Sequence, residues 1–184
     1  MGYAVAEAGR DRGAKVILVA APTGLPDPAL VEVVEVKTAQ EMCDEVLRRV
    51  NGADALIMAA AVADYRPTNE AEQKIKKSGG DLTIDLAKTT DILEAATGDF
   101  VKVGFSAETQ NLIANAKVKV GSKNLDLIVA NDVTDPDSGF GVDTNKVTLI
   151  DRDLNVEELA VLTKYEVGHR ILDRVSKLLG NKTR

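Results

Sequence analysis

The stretch ALIMAAAVAD at residues 55–64 decides the fold. Nine apolar residues are followed by an acidic one, which predicts a strand buried on both faces of a sheet. Runs of the same kind are KVILVAA (15–21), VKVGF (101–105) and LDLIVA (125–130). Because helical stretches of about 10–15 residues separate such strands, the pattern predicts right-handed crossovers and a mostly parallel α/β sheet with both faces covered.

Shorter elements fill the rest of the pattern. Thr38 with Glu41, and Thr163 with Glu166, are capping boxes, and each predicts the start of a helix with one apolar face. Other helices are predicted at residues 2–12, 91–96 and 109–120, and other strands at 31–36 and 82–86. Residues 146–150 and 156–159 flank the polar turn DRDLN and predict a hairpin, which adds an antiparallel edge to the sheet.

Composition limits the class of protein. The chain has 184 residues, 45% of them hydrophobic, which is enough for the core of one domain. Its formal net charge of −6 argues against a nucleic-acid partner, because such proteins need clustered Lys and Arg. The sequence shows neither a signal peptide nor an apolar run long enough to span a membrane, so a cytoplasmic location is expected.

The single cysteine and the single histidine limit the chemistry. Cys43 excludes an internal disulfide and a cysteine metal cluster, and its place on an apolar helix face predicts a core residue. His169 lies on the last helix without a catalytic partner nearby in sequence, which predicts a packing or surface role.

Polar groups follow three of the predicted strands. Asp64 ends the first, residues 106–109 (SAET) end the second, and Asn131 with Asp132 end the third. Carboxyl ends of parallel strands share one sheet edge, where ligands of open α/β sheets bind. The alternative is that Asp64, Thr109 and Asp132 only cap turns or helices.

Two groups of lysines stand out in this acidic chain. One lies in QKIKKSGG within residues 64–80, and the other closes the helix after residue 109; their members are Lys74, Lys76, Lys77, Lys117, Lys119 and Lys123. Near one sheet edge they would suit a polyanion such as a triphosphate. The alternative is a pair of solvated charged faces. The sequence contains neither GxGxxG after the first strand nor a Walker A motif.

Six blocks, in this order and spacing, resemble phosphopantothenate–cysteine ligase. They are AAAVADYRP (59–67), KIKK (74–77), TTDIL (89–93), GFSAET (104–109), KNLDLIVANDV (123–133) and VTLI (147–150). The resemblance implies a Rossmann-like three-layer α/β/α sandwich that forms a homodimer. It also implies ligation of cysteine to 4′-phosphopantothenate with CTP and Mg²⁺ through an acyl-cytidylate. In most bacteria a flavin-dependent decarboxylase is fused to this domain, so FMN is expected only if that domain is attached.

The resemblance also implies site residues. The matched nucleotide-binding positions are Met58, Ala59, Ala60, Asp64, Lys74, Thr90, Asp91, Ile92, Leu93, Phe105, Lys119 and Lys123. Lys74 matches the catalytic lysine of a flap hinged near Gly79-Gly80, where it stabilises charge on the α-phosphate. Asp64 matches a CTP-contacting aspartate that also helps to hold the cation. Thr90 stands where the family usually has proline.

One departure from the family pattern concerns the start of the sequence. In the family a strand and a Gly- and Ser-rich phosphate loop precede the position of Met1, so residues 1–184 are expected to form a single domain lacking them and to turn over poorly. Two alternatives remain open. One is a nicotinamide-dependent oxidoreductase on a Rossmann-like sheet, and the other is a non-catalytic fragment that dimerises through residues 133–160.

Overall fold

A computed structural model describes residues 1–69, 71, 73–76, 82–108, 111–132 and 141–182, with backbone only for residues 108, 132 and 182. The helices are α1 (Gly2–Asp11), α2 (Ala39–Val50), α3 (Ile92–Ala95), α4 (Leu112–Ser122) and α5 (Lys164–Lys182). The strands are β1 (Ile17–Ala20), β2 (Glu32–Glu35), β3 (Ala55–Met58), β4 (Tyr65–Pro67), β5 (Leu86–Lys88), β6 (Val101–Glu108), β7 (Leu127–Asp132), β8 (Thr144–Asn145), β9 (Val147–Asp151), β10 (Val156–Glu158) and β11 (Leu162–Thr163).

The central sheet has five strands in the order β10-β9-β7-β6-β3. Strands β3, β6 and β7 run parallel, and β9 and β10 join antiparallel as the hairpin predicted across DRDLN. The predicted mostly parallel sheet with an antiparallel edge is therefore confirmed.

Helices cover both faces of this sheet. Val101 and Val103 of β6 pack in one cluster with Val5 of α1 and with Val167 and Ile171 of α5. The opposite face packs under α3 and α4, in a cluster that contains residues 93, 116, 120, 125, 128 and 150. The alternation of side chains along each strand produces this division, and it confirms the three-layer arrangement.

Strand β1 differs from its prediction. The run 15–21 was expected to be buried on both faces, but Ile17 is 37% exposed and β1 pairs with β2 in a separate two-stranded parallel sheet. Val19 of β1 still packs against the apolar face of α2, which carries Met42, Cys43 and Val46. Within the described residues β1 has one strand neighbour and β3 likewise has one, β6. Neither strand is therefore enclosed by a sheet on both sides.

Several element boundaries also differ. Strand β3 ends at Met58 rather than at residue 63, because its pairing with β6 ends there. The strand predicted at 82–86 instead spans Leu86–Lys88, where β5 meets β4. The helix predicted at 109–120 begins at Leu112 and ends at Ser122.

The predicted capping box at Thr163 forms in full, whereas at Thr38 only the cap forms, because the Glu41 carboxylate accepts the N–H of Lys37 at 2.6 Å rather than that of Thr38. The Thr38 hydroxyl accepts the N–H of Glu41 at 3.1 Å, and the Thr163 hydroxyl accepts the N–H of Glu166 at 3.2 Å. The Glu166 carboxylate accepts the Thr163 N–H in return, at 2.9 Å. In the described part of the chain no helix is long and apolar enough to cross a lipid bilayer.

Candidate functional site

The carboxyl ends of β3, β6 and β7 lie at one edge of the sheet. Their parallel registers pair Met58 with Gly104 and Ser106 with Ala130. The segments that follow these strands therefore start from a common edge, as the sequence pattern predicts. The loop after α4 leads instead into the amino end of β7, where the Asp126 N–H donates to the Lys102 carbonyl at 2.9 Å.

The turn before α3 is fixed by Asp91. Its carboxylate caps α3 by accepting the N–H groups of Leu93 at 3.0 Å and Glu94 at 3.2 Å. Thr90 is exposed, whereas Ile92 and Leu93 are buried in the core. Of the four predicted contacts in this turn, Thr90 therefore presents an exposed side chain, the Asp91 carboxylate caps α3, and Ile92 and Leu93 anchor the backbone.

Two predicted residues from distant parts of the sequence meet in an ion pair. Lys123 Nζ lies 2.8 Å from Asp91 Oδ2. Burial raises the pKa of the Asp91 carboxyl, but the hydrogen bonds from Lys123, Glu94 and Leu93 outweigh that effect and hold the pKa below its ordinary value. The pair joins the end of α4 to the start of α3, and both groups are about one-third exposed.

The segment after β3 is tied to the same turn. Thr89 donates its N–H to the carbonyl of Asp64 at 2.9 Å and its hydroxyl to the carbonyl of Ala63. This brings Asp64 next to Thr90 in space. The Asp64 carboxylate is exposed, and within the described residues it makes no hydrogen bond or ion pair.

The other predicted residues are less tightly connected. Lys119 lies in the last turn of α4, and its carbonyl accepts the N–H of Lys123, the residue that caps the end of that helix, at 3.1 Å. Phe105 packs in the cluster under α1 and α5, on the opposite sheet face from Leu93. Lys74 is exposed, and within the described structure it makes no hydrogen bond or ion pair with the other predicted residues. Met58 and Ala59 are half-buried at the end of β3, and Ala60 is exposed.

Some predictions fall outside the described residues, namely those for Lys77, Gly79, Gly80, Thr109, the Asp132 side chain and most of the loop after it. Two cavities have linings that include none of the predicted site residues. One, of about 210 Å³, is at the ends of β1 and β2, and the other, of about 480 Å³, is between the first turn of α4 and the β9–β10 hairpin.

The donor set for a cation is small. In the described part of the chain, no three Asp, Glu, His or Cys side chains cluster closely enough to form a metal site. Among the described residues, Asp64 offers a carboxylate that makes no hydrogen bond or ion pair. This fits Mg²⁺ held by one carboxylate together with phosphate oxygens of a nucleotide, a common way for proteins to bind that ion.

Sequence reasoning missed a buried polar cluster beneath the Asp91–Lys123 pair. Lys102 of β6 and Asp126, which precedes β7, are 8% and 6% exposed. Lys102 Nζ donates to the Leu93 carbonyl at 2.7 Å, and the Lys102 N–H donates to Asp126 Oδ2 at 2.8 Å. Arg152 reaches Asp126 Oδ1 at 3.0 Å. The sequence does contain a sign of this cluster: the apolar run VKVGF includes one positive residue, Lys102, and the run LDLIVA includes one negative residue, Asp126.

Gly104 allows this close packing. A Cβ at this position would lie 2.8 Å from a Leu125 methyl carbon and 3.3 Å from one of Leu93. A side chain here would push the turn before α3 away from the sheet. The glycine of GFSAET thus has a packing role directly below the turn.

Cys43 and His169 have the structural roles predicted for them. Cys43 is buried on α2, and burial raises the pKa of its thiol, with a smaller contribution from Asp44. His169 packs edge-to-face on Tyr165, with ring centroids 4.6 Å apart.

Comparisons with known proteins agree with this arrangement. The family model described as the DNA/pantothenate metabolism flavoprotein C-terminal domain matches residues 1–179. The coenzyme A biosynthesis bifunctional protein CoaBC of Bacillus subtilis (strain 168) is 42% identical over 182 residues, which are 97% of this chain and 45% of that protein. A cysteine/cysteine sulfinic acid decarboxylase from an unknown prokaryotic organism is 39% identical and covers 97% of this chain and 51% of that protein. The chain thus spans about half the length of these curated relatives.

Solved structures agree as well. The crystal structure of the C-terminal domain of CoaBC superposes with a TM-score of 0.82 at 37% identity, covering 98% of this chain and 82% of that one. The sheet order, the strand-end motifs and these matches lead to one conclusion. The chain belongs to the family of DNA/pantothenate metabolism flavoprotein C-terminal domains.

Proposed function

We propose that this chain is the ligase domain that joins cysteine to 4′-phosphopantothenate in coenzyme A biosynthesis, with CTP as co-substrate. The observation that carries the proposal is the 42% identity to CoaBC over 97% of the chain. The contacts between separate segments support it: the Thr89 N–H donates to the Asp64 carbonyl, and Asp91, two residues later, pairs with Lys123.

The proposed chemistry has two steps. The carboxylate of 4′-phosphopantothenate attacks the α-phosphorus of CTP, which forms an acyl-cytidylate and releases pyrophosphate. The amine of cysteine then attacks the acyl carbon and releases CMP. Such transfers depend on positioning and charge neutralisation more than on covalent catalysis by protein groups.

The chain's residues would divide this work. Lys123 and Lys119 supply positive charge from one face of α4, and Lys123 is already oriented by Asp91. Lys74 would stabilise charge on the α-phosphate when its segment closes over the nucleotide. Mg²⁺, where bound, would neutralise phosphate charge, with Asp64 as its protein ligand.

A binding experiment separates this function from its rivals. CTP with Mg²⁺ at a hundredfold excess over Kd should raise the unfolding free energy by about 2.7 kcal/mol, and NADPH should leave it unchanged. Protection by NADPH alone would favour the oxidoreductase instead. Protection by neither would favour a non-catalytic domain.

Lys74 provides the first catalytic prediction. Lys74→Gln should slow single-turnover pyrophosphate release by about 10²–10³-fold, because one preorganised charge on the transition state is lost. Lys76→Gln, an equally exposed neighbour, is the matched control and should retain the wild-type rate. Equal rates for Lys74→Gln and wild type would remove Lys74 from the mechanism.

Assembly is also part of the proposal. The domain would act as a homodimer, joined in the full protein to a decarboxylase domain that carries FMN, and it would work in the cytoplasm. The name of the Bacillus subtilis relative, a bifunctional protein, supports the fusion. Sedimentation of the chain at micromolar concentration tests the dimer directly.

A further inference from the structure

A buried lysine lies directly beneath the proposed nucleotide site. Lys102 is 8% exposed, on the α3–α4 face of β6. Its ammonium group donates to the Leu93 carbonyl at 2.7 Å and lies 5.9 Å from the centre of the Phe100 ring. Within the described residues, no carboxylate oxygen lies within ion-pair distance of it.

Burying this charge is unfavourable for stability. Desolvation lowers the pKa of Lys102, while Asp126 and Asp91 oppose that shift from a distance. An apolar side chain of similar length would fill the same space without the desolvation penalty. The contact that the ammonium group makes, rather than its burial, therefore identifies its role.

That contact begins a continuous polar path to Lys123. Lys102 holds the carbonyl of Leu93, and Asp91 Oδ1 accepts the N–H of the same residue at 3.0 Å. Asp91 Oδ2 then pairs with Lys123 at 2.8 Å. The path also closes through the other strand, because the backbones of Lys102 and Asp126 are bonded and Asp126 follows Lys123 by three residues.

We propose that Lys102 is a positioning residue, which fixes the turn at Thr90–Leu93 and thereby sets the place of the Lys123 ammonium group. Both ends of Leu93 are held, one from the sheet below and one from the Asp91 carboxylate above. If the Lys102–Leu93 hydrogen bond were lost, the turn could shift, and Asp91 would move together with the Lys123 ammonium group that it holds. The inference rests on the proposed function in one respect: it takes CTP as the ligand whose affinity depends on the position of Lys123.

A double-mutant cycle tests the proposal. The CTP dissociation constant, with Mg²⁺ present, is measured by calorimetry for Lys102→Met, Lys123→Met and the double variant. Lys102→Met should raise Kd by about tenfold, and the double variant should bind no more weakly than Lys123→Met, because both changes act through one ammonium group. Additive losses would overturn the proposal.

Two controls separate positioning from general destabilisation. Val101→Ala alters the neighbouring β6 residue, buried on the opposite face, and should leave Kd unchanged even though truncating this buried side chain lowers stability. Lys74→Met combined with Lys102→Met should give additive losses, since no contact in the described structure links the two residues. Weakening by Val101→Ala equal to that by Lys102→Met would contradict the proposed role.

Hydrogen exchange provides a measurement independent of CTP. In Lys102→Met, or in Lys102→Gln if the first variant does not fold, the amides of Leu93 and Glu94 should exchange about tenfold faster than in wild type, while those of β7 stay protected. Unchanged exchange at both amides refutes the inference. If the wild-type chain binds no CTP, the proposed function fails, and this measurement alone decides whether Lys102 holds the turn.

Discussion

At the scale of single residues, Asp91 performs two roles with one carboxylate. One oxygen caps α3 and the other pairs with Lys123, so the side chain joins a local helix start to a loop about thirty positions away in sequence. The spacing of the sequence indicates the cap but not the partner of the second oxygen. A single substitution of a residue that has two such roles is expected to change both the stability of the protein and the geometry of the site.

Asp91 has a pKa below its ordinary value, and this predicts a pH dependence. A carboxyl group with a depressed folded-state pKa stabilises the fold above its unfolded pKa of about 3.9, and that contribution is lost as pH falls through the folded value. Asp91→Asn keeps a capping side chain but removes the charge. It should lower the unfolding free energy by roughly 0.5–1 kcal/mol at pH 7, and by less near pH 2.5.

Urea unfolding at the two pH values measures this difference. Asp85→Asn is the control, since Asp85 is exposed and in the described structure its side chain makes no ion pair or cap. A gap between wild type and Asp91→Asn that widens as pH falls would show that the sign is wrong.

At the scale of elements, the start of α5 is set by a reciprocal cap. Thr163→Ala removes the hydroxyl that accepts the Glu166 N–H and also donates to its carboxylate, and should lower the unfolding free energy by about 1 kcal/mol. Ser176→Ala deletes an exposed hydroxyl within the same helix and should be neutral or slightly stabilising. Chemical denaturation gives the unfolding free energies of both variants. Equal values would show that the Thr163 cap does not stabilise α5.

The crossing of α5 over α1 depends on a glycine. A Cβ on Gly168 would lie 3.0 Å from the Ala4 carbonyl oxygen and 3.2 Å from the Ala8 Cβ, whereas one on Gly180 would meet nothing within 4 Å. Gly180→Ala should therefore stabilise the chain by up to about 1 kcal/mol through helix propensity. Gly168→Ala should lose that gain to overpacking and melt at a lower temperature than Gly180→Ala. Thermal unfolding gives the melting temperatures of the two variants. A higher melting temperature for Gly168→Ala would show that α1 moves aside for the added methyl group at little cost.

At the scale of the whole molecule, the sequence predicts the sheet better than the site. Apolar runs and capping boxes locate the parallel strands, the hairpin and the last helix, because each follows from local periodicity. The contact of Lys102 with Leu93 depends on which strand lies beneath which turn, and spacing does not contain that information. The open position of β1 was missed for the same reason, since an apolar run does not reveal how many strands flank it.

The separation of β1 and β2 from the five-stranded sheet predicts unequal protection. Amides of β6 and β7 lie between neighbouring strands and under helices on both faces, whereas β1 pairs with one partner and is partly exposed. Native-state hydrogen exchange should therefore show β1 and β2 opening with a lower free energy than β6 and β7. Equal opening free energies would mean that the two sheets unfold as one unit.

Because Cys43 is buried beside β1, the rate at which its thiol is alkylated should report how often this part of the molecule opens. Because the thiol is enclosed between α2 and its neighbours and its pKa is raised, an alkylating probe should modify it only when α2 lifts away. The chain has one cysteine, so the labelling rate would follow a single opening event without engineered dyes. A bound nucleotide that makes the opening of α2 rarer would slow the alkylation of Cys43. The labelling rate would then measure the fraction of the protein that has nucleotide bound.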